Sequence, residues 1–253
     1  MNNYQFAGHI YPAGIIYIKD FELDAPGLFG YDNPFSGDIN VSIDNDNVIV
    51  TYKTTEDFDN DLDTLRNSLE YFARMAIDAA NYYFGTGVEL FLTTGGNTSK
   101  QMYTFAPKVN SLFSQINERP LNPMEITKLA GRNIQLRRAL EHAKNAINQK
   151  MDAGMNCYRA IEAIRQYFLN GKTDDGGAKR KSWEDMNNSL RLQQNFYALV
   201  KSHADVARHG GAGSISSTDM EKMLHCTWRI IDRFLIYLNN GDIALGEKYE
   251  VLT

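Results

Sequence analysis

The first part of the chain alternates apolar and polar residues in the manner of β-strands. Residues 9–21 and 38–53 are rich in β-branched and aromatic side chains, and a period of two predicts strands that bury one face. The polar run 44–47 predicts a tight hairpin, because Asp and Asn tolerate the left-handed backbone that such turns need. Residues 22–37 hold two prolines and three glycines, so they are predicted to be loop.

From residue 55 the apolar positions recur at helical spacing as far as residue 84, and Gly85 is expected to end this helix. Residues 88–93 and 101–105 are predicted to be two further strands. The order ββαββ describes a small sheet crossed by one long helix. We therefore predict an α/β domain over residues 1–106.

After Pro123 every apolar pattern is helical. The predicted helices span residues 124–151 with a bend near Gly131, 153–169, 183–190, a segment that ends after residue 209, and 218–240. The glycine-rich residues 171–181 are predicted to be a mobile loop. The fold class is thus α+β: the N-terminal domain, a linker over 107–123 and an all-α helical bundle over 124–253.

Composition supports two folded domains and argues against a membrane protein. The chain has 253 residues, of which 43% are hydrophobic and 11% aromatic, so it can bury two apolar cores. No stretch reaches the roughly 20 apolar residues of a membrane span, and the start lacks the pattern of a signal peptide. We predict a cytoplasmic protein that does not contact membranes.

The two halves of the chain differ in charge. Residues 1–110 carry 6 Lys and Arg against 15 Asp and Glu, whereas residues 111–253 carry 20 against 16. This asymmetry is consistent with a nucleic acid as partner of the basic half and another protein as partner of the acidic half. The alternative is that the helices carry lysine and arginine on solvent-exposed faces.

A cluster of ionisable residues lies at a predicted helix end, in residues 201–214. Asp205 has Arg208 at i+3 and His209 at i+4, so the three share one face of the helix. Both cations suit the negative end of the helix dipole, which predicts that they cap the helix and pair with Asp205. His203 falls on the predicted apolar stripe formed by residues 192, 196, 199, 203 and 206, a position typical of a hydrogen-bonded core histidine.

Metal and cofactor motifs are weak. The five histidines and two cysteines do not have the spacing of a metal site. Residues 59–70 match the acidic positions of a calcium loop, but Thr64 stands where that loop needs glycine. The glycine runs lack the lysine and hydroxyl residue of a phosphate-binding loop. We predict no metal and no cofactor.

Three segments in order, YRAIEAIRQYF, WEDMNNSL and ALVKSHADVARHGG, followed by a long apolar helix, resemble the HEPN superfamily of helical bundles over about residues 124–240. The resemblance implies a dimeric bundle, and the catalytic members of the family are metal-independent ribonucleases, often in defence or toxin systems. Their motif is an arginine, a polar residue, and a histidine four to six positions after the arginine. Arg208 and His209 match the first two positions, but residues 210–215 contain no histidine, and His203 precedes the arginine.

Two functions are consistent with this pattern. The first is a non-catalytic interaction or RNA-binding protein with a HEPN-like bundle, associated with bacterial or phage defence. The alternative is a dimeric metal-independent ribonuclease that uses Arg208, His209, His203, Asp205 and Glu162. The absent downstream histidine favours the first function. A homodimer, RNA and a protein bound by the acidic domain are the predicted partners.

Overall fold

The computed structural model describes residues 1–15, 21–29, 35–105, 109–171, 173–209 and 215–253. The chain divides into two compact units, Met1–Pro107 with Ala212–Ser217 and Lys108–Gly211 with Thr218–Thr253. The first unit contains an antiparallel sheet and one long helix, and the second is built of helices. The predicted α+β class is confirmed.

Six strands form the sheet of the first unit. They are β1 (Asn2–Tyr11), β2 (Phe21–Phe29), β3 (Phe35–Asp44), β4 (Asn47–Thr54), β5 (Glu89–Asn97) and β6 (Met102–Thr104), with helix α1 (Leu62–Phe84) between β4 and β5. Their spatial order is β2-β3-β4-β1-β5-β6, and all neighbours are antiparallel. The order along the chain is therefore ββββαββ, and the predicted ββαββ order is wrong.

The missed strand is explained by its place in the sheet. Residues 22–37 were expected to be loop, yet β2 and the start of β3 occupy most of them. Because β2 pairs only with β3, Pro26 lies on an edge strand, where a missing N–H group is tolerated. The first strand also begins earlier than predicted, at Asn2, and residues 16–20 of the predicted 9–21 strand lie outside the described residues. The hairpin over 44–47 is confirmed, with Asn45 at φ 55°.

Helix α1 covers one face of the sheet. It begins at Leu62 rather than near residue 55, because the Asp61 carboxylate accepts a hydrogen bond from the backbone N–H of Thr64 and caps the helix. Its predicted end at Gly85 is confirmed by a left-handed φ of 64°. The core between helix and sheet is formed by buried apolar residues that alternate along the strands and recur on α1, including Tyr4, Phe6, Val41, Val50, Leu90, Leu65, Leu69 and Ile77.

Charged side chains of α1 cover the free edge of β5. β6 pairs only with residues 94–96 of β5, so the outer edge of β5 at Leu90 and Leu92 lacks a strand partner there. Glu70 accepts from the Leu92 N–H at 2.9 Å, Arg66 donates to the Leu92 carbonyl at 3.2 Å, and Arg74 donates to the Leu90 carbonyl at 3.0 Å. These contacts satisfy the edge and block its pairing with another chain.

The second unit contains the remaining helices. They are α2 (Asn110–Ser114), α3 (Pro123–Arg132), α4 (Ile134–Asn148), α5 (Ala153–Phe168), α6 (Gly176–Leu190), α7 (Ala198–Arg208) and α8 (Ser217–Asn239), with short 3₁₀ turns at Ile116–Glu118 and Lys150–Asp152. α5 is the central helix, since it packs against α4, α6 and α7 and most of its side chains are buried.

Three helical predictions need correction. The single helix over 124–151 is two helices, because the side chain of Asn133 caps the start of α4 by accepting from the Leu136 N–H. The predicted 171–181 loop gives its second half to α6, whose first turn is capped by Asp175. The segment expected as a linker over 107–123 holds α2 and a 3₁₀ turn, which lie in the second unit.

Candidate functional site

The face of α5 that lies beside the end of α7 is buried within the helical unit. Tyr158 and Arg165 lie on this face and are only 6% and 1% exposed. Trp183 of α6 covers them: its ring stacks between Tyr158, with centroids 6.3 Å apart, and Tyr197, with centroids 5.4 Å apart. The three rings form a rigid wall beneath the end of α7.

Arg165 lies beside the Trp183 ring and joins α5 to α6 through hydrogen bonds. Its two Nη atoms each donate to one carboxylate oxygen of Asp174 at 2.9 Å, and Nη1 also donates to the Ser182 hydroxyl at 2.9 Å. The guanidinium lies 5.5 Å from the centroid of the Trp183 ring. The hydrogen bonds from Arg165 lower the pKa of Asp174, so the pair is ionised at neutral pH. This arrangement fixes α6 against α5, which is a structural role.

Three of the five predicted site residues surround Tyr158. Arg208 lies over the Tyr158 ring at 5.6 Å and is 3.7 Å from the carboxylate of Asp205. Burial raises the pKa of Tyr158, and the negative charge of Glu162 raises it further while Arg208 opposes the shift. The side chains of Arg208 and Asp205 are 48% and 45% exposed, so the cluster faces solvent above a buried aromatic floor.

The contacts that the structure describes for the two predicted histidines are with other groups of the helical unit. His209 follows the last helical residue, donates its backbone N–H to the Asp205 and Val206 carbonyls at 3.2 Å, and is exposed. His203 is half-buried beside Gly154, where an added Cβ would lie 2.7 Å from the His203 Cβ. His203 therefore meets the start of α5, one turn before Tyr158. The glycines of the predicted 210–213 run lie outside the described residues.

The predicted apolar stripe of α7 is shifted. Val200 and Ala204 are the buried positions of this helix, whereas Val206 is 48% exposed. The predicted stripe began at residue 192, but the helix starts only at Ala198. Residues 192 and 196 therefore lie outside the helix and do not indicate which of its faces is buried. His203 is consequently at the border of the buried face rather than on its centre line.

The cluster at the end of α7 suits anion contact better than acid–base chemistry. Arg208 offers a half-exposed cation, and the aromatic ring below it holds the guanidinium in place. The α7 side chains that could donate or accept a proton, His203, Asp205 and His209, are spread over more than one helical turn. Among the described residues, no three or more His, Cys, Asp or Glu side chains are arranged to bind a metal ion.

A second cluster was missed by the sequence reasoning. A cleft of about 460 Å³ in the helical unit is lined by residues that include Arg119, His225, Trp228, Arg229 and Arg233. The available signal was the spacing of His225, Trp228, Arg229 and Arg233 along α8, which places polar and aromatic groups on one side of an otherwise apolar helix. Arg119 comes from the predicted linker and could not be assigned to the cleft from sequence.

In the part of the chain that is described, no helix has the length and apolarity needed to cross a bilayer. Comparison with known families gives one match: residues 122–239 match the family described as "Domain of unknown function (DUF8168) C-terminal domain". The matched region runs from the cap of α3 to the last residue of α8. Neither the curated proteins nor the solved structures yielded a match to the chain.

Proposed function

We propose that the protein is a non-catalytic RNA-binding protein and that RNA contacts the helical unit. The observation that carries this proposal is the distribution of positive charge: residues 122–169 contain 8 Lys and Arg against 4 Asp and Glu. Six of these cations are exposed on α3, α4 and α5, namely Lys128, Arg132, Arg137, Arg138, Lys144 and Arg159. A basic face of this kind neutralises phosphates and gives salt-dependent binding.

The exposed cations of α4 and α5 act on one neighbourhood. Burial lowers the pKa of His142, and the positive charges of Arg159 and then Arg138 contribute to this shift. Arg138 and Arg159 therefore lie close to the same imidazole, although they come from different helices. Arg208 adds a further half-exposed cation over Tyr158, the residue that precedes Arg159. Arg138 and Arg159 thus form a basic patch, together with the acidic Glu141 that also acts on His142, and a nucleic-acid backbone could contact this patch.

We propose that the protein is not catalytic because of the arrangement of side chains at the end of α7. Arg208 is already engaged by Asp205 and Tyr158, and the two histidines do not converge on it. RNA is the nucleic acid implied by the HEPN resemblance, and so are the homodimer, the role in bacterial or phage defence and, with it, a cytoplasmic location. A dimer that forms through the helical unit would double the basic surface. Light scattering that detects a monomer at all concentrations would remove this part of the proposal.

A metal-independent ribonuclease is the second candidate. It is favoured by the gathering of Arg208, Asp205 and Glu162 around the Tyr158 ring, since an arginine could hold the phosphate while a carboxylate accepts a proton. In that case His209 and His203 would have to join the site by movement or from a second copy of the chain.

The proposed RNA contact can be tested by fluorescence anisotropy with a labelled single-stranded RNA at several salt concentrations. The Arg138→Gln/Arg159→Gln double variant should weaken binding and reduce the slope of log affinity against log salt by about 0.7 for each cation removed. The matched control is Arg180→Gln/Lys181→Gln on α6, whose side chains are 84% and 61% exposed and pair with acids one turn away. Equal loss in the control, or no binding by the wild type at low salt, would contradict the proposal.

A further inference from the structure

The cleft on α8 has the size of a small-ligand site and is enclosed within the helical unit. Its walls are α8, the segment from α2 to Pro120, and the C-terminal residues after α8. At about 460 Å³ it is within the range of pockets that hold small molecules. Its lining includes three arginines and Trp228 beside apolar residues, a combination that suits an anionic ligand with a flat ring.

Arg233 is the least satisfied group in this cleft. Its Nη2 donates to the Glu250 carbonyl at 2.8 Å, and its guanidinium lies 5.1 Å from the centroid of the Tyr249 ring. Nη1 is buried, and it has no hydrogen-bond partner among the residues that the structure describes. A buried donor of a charged group without an acceptor destabilises the fold, and an anion in the adjoining cleft would offset the charge of this guanidinium.

Positive charge accumulates around this group. Arg229 is one turn before Arg233 on α8 and lies over the Phe196 ring at 5.5 Å. Within the described residues, no carboxylate lies within ion-pair distance of Arg229 or Arg233. Burial lowers the pKa of Arg233, and the nearby charge of Arg229 lowers it further. Two like charges held together in a concave site favour a bound anion.

Two acidic residues line the cleft, Glu118 and Asp232, and Asp232 is paired with an arginine. Arg119 donates from Nη1 to the carboxylate of Asp232 at 2.7 Å and from Nη2 to the Leu112 carbonyl at 3.3 Å. Asp232 therefore cancels Arg119 and leaves the charges of Arg229 and Arg233 for a ligand. His225 binds the Ser111 hydroxyl at 2.8 Å, which keeps its ring on the side of the cleft that α2 forms.

We propose that this cleft binds a nucleoside monophosphate group, with the phosphate beside the guanidinium groups of Arg229 and Arg233 and the base against Trp228. Arginine is well suited to phosphate because its planar donors match two phosphate oxygens at once. Indole faces stack on nucleobases without a requirement for one sequence. The group can come from a free nucleotide or from the terminal nucleotide of an RNA. The inference is independent of the basic face on α3–α5.

The test is isothermal titration calorimetry on the full chain with uridine 5′-monophosphate, adenosine 5′-monophosphate and inorganic phosphate as separate probes. The wild type should bind both nucleotides and, more weakly, phosphate. Arg229→Gln and Arg233→Gln should each weaken all three by at least about tenfold, since each removes a charged hydrogen bond to phosphate. Trp228→Leu should weaken the nucleotides and leave phosphate affinity nearly unchanged.

Arg180→Gln is the matched control, because Arg180 is exposed and lies on α6 of the same unit. Circular dichroism will show whether each variant is folded, and the exposed Arg229 provides a variant that keeps the fold if Arg233→Gln does not. No heat from any probe with the wild type would overturn the proposal. Equal weakening in Arg180→Gln, or unchanged affinity in Arg229→Gln, would also overturn it.

Two RNA probes distinguish the sources of the group. A short RNA with a 5′-phosphate that binds more tightly than the same RNA with a 5′-hydroxyl, in a manner lost in Arg229→Gln, would assign the cleft to RNA ends. Nucleotide binding without this preference would assign it to free nucleotides. The Arg138→Gln/Arg159→Gln variant changes only the basic face, so it should lose RNA binding and keep its affinity for nucleotides. The RNA proposal and the cleft proposal can therefore fail separately.

Discussion

Arg165 and Arg233 both belong to the helical unit, but only Arg165 forms an ion pair with a carboxylate among the described residues. Arg165 is 1% exposed and faces Asp174, which accepts from both of its Nη atoms. Arg233 donates to a backbone carbonyl, has a buried Nη1 without a partner among the described residues, and is one turn from Arg229. Nε of Arg165 also lacks a partner, so the difference lies in charge rather than in complete hydrogen bonding.

This difference separates a structural arginine from one prepared for a ligand. A buried cation with a carboxylate partner contributes to the fold and is damaging to remove. An arginine that lies near other cations and has no carboxylate partner contributes little to the stability of the fold, and a bound anion would increase that stability. Arg208 belongs to neither class, since it is half-exposed and its ion pair with Asp205, at 3.7 Å, is open to solvent. The stability of variants should therefore rank these three arginines in a fixed order.

The largest effect is expected for Arg165→Ala. It should lower the free energy of unfolding by about 3 kcal/mol, near the low end for breaking a buried pair because Asp174 is partly solvated. Urea denaturation at pH 7 measures this change, and Arg180→Ala, which removes an exposed arginine, is the control. A loss of the same small size in both variants would show that Arg165 does not anchor α6.

Asp174→Asn should have a smaller effect that depends on pH. The hydrogen bonds from Arg165 lower the folded-state pKa of Asp174 below its usual value, so the folded state binds the proton less readily than the unfolded state. The pair then contributes stability above the ordinary pKa of about 3.9, and this contribution is lost as pH falls through the lower folded-state pKa.

Urea denaturation of the wild type and Asp174→Asn between pH 7 and pH 3 tests the sign. The side chain of Asp174 is 37% exposed, so a difference of about 1 kcal/mol at pH 7 is expected after allowance for solvent screening. The two proteins should approach equal stability at the acidic end. A difference that grows on acidification would contradict the account of this pair.

Arg233→Met should change the free energy of unfolding by less than about 1 kcal/mol in phosphate-free buffer, because it removes a half-buried cation that has no ion-pair partner among the described residues. The second part of the expectation concerns ligand. Phosphate should raise the melting temperature of the wild type, since a ligand that binds only the folded state stabilises it, and it should raise that of the variant less. Equal stabilisation of both proteins by phosphate would place the anion elsewhere.

The smallest effect is expected for Arg208→Ala. Its ion pair is exposed and longer than an ideal hydrogen bond, so stability should fall by no more than about 0.5 kcal/mol. Thermal denaturation measures the change. A loss comparable to that of Arg165→Ala would mean that Arg208 holds α7 on Tyr158 and would weaken its assignment to a ligand-contacting surface.

The fold class and several element ends followed from local patterns. The α1 stop at Gly85 and the hairpin at 44–47 are set by residues that lie within those elements, so a sequence shows them directly. β2 was missed because a strand at a sheet edge can hold Pro26, and only the pairing partner reveals that it is a strand. The α6 start at Gly176 depended on one capping residue, Asp175.

The site was less predictable for a tertiary reason. Asp205 and Arg208 were paired correctly, since helical spacing alone brings them together. The burial of Arg165 could not be predicted, because nothing local in the sequence shows that Trp183 covers it. Arg119 and Leu252 line the α8 cleft from segments that lie outside α8. A cleft of this kind exists only after the helices and the C-terminal residues have packed.

The most direct test of the account is to follow binding and integrity of RNA in one experiment. The wild type is incubated in chelator with a labelled pool of single-stranded RNA, and bound fraction and RNA length are measured over time, together with Arg208→Ala and His209→Ala and the melting temperature of each protein. The account predicts that the wild type binds the RNA and leaves its length unchanged. Metal-free cleavage by the wild type that is lost in both variants, without a fall in melting temperature, would contradict it and establish the α7 end as a ribonuclease site.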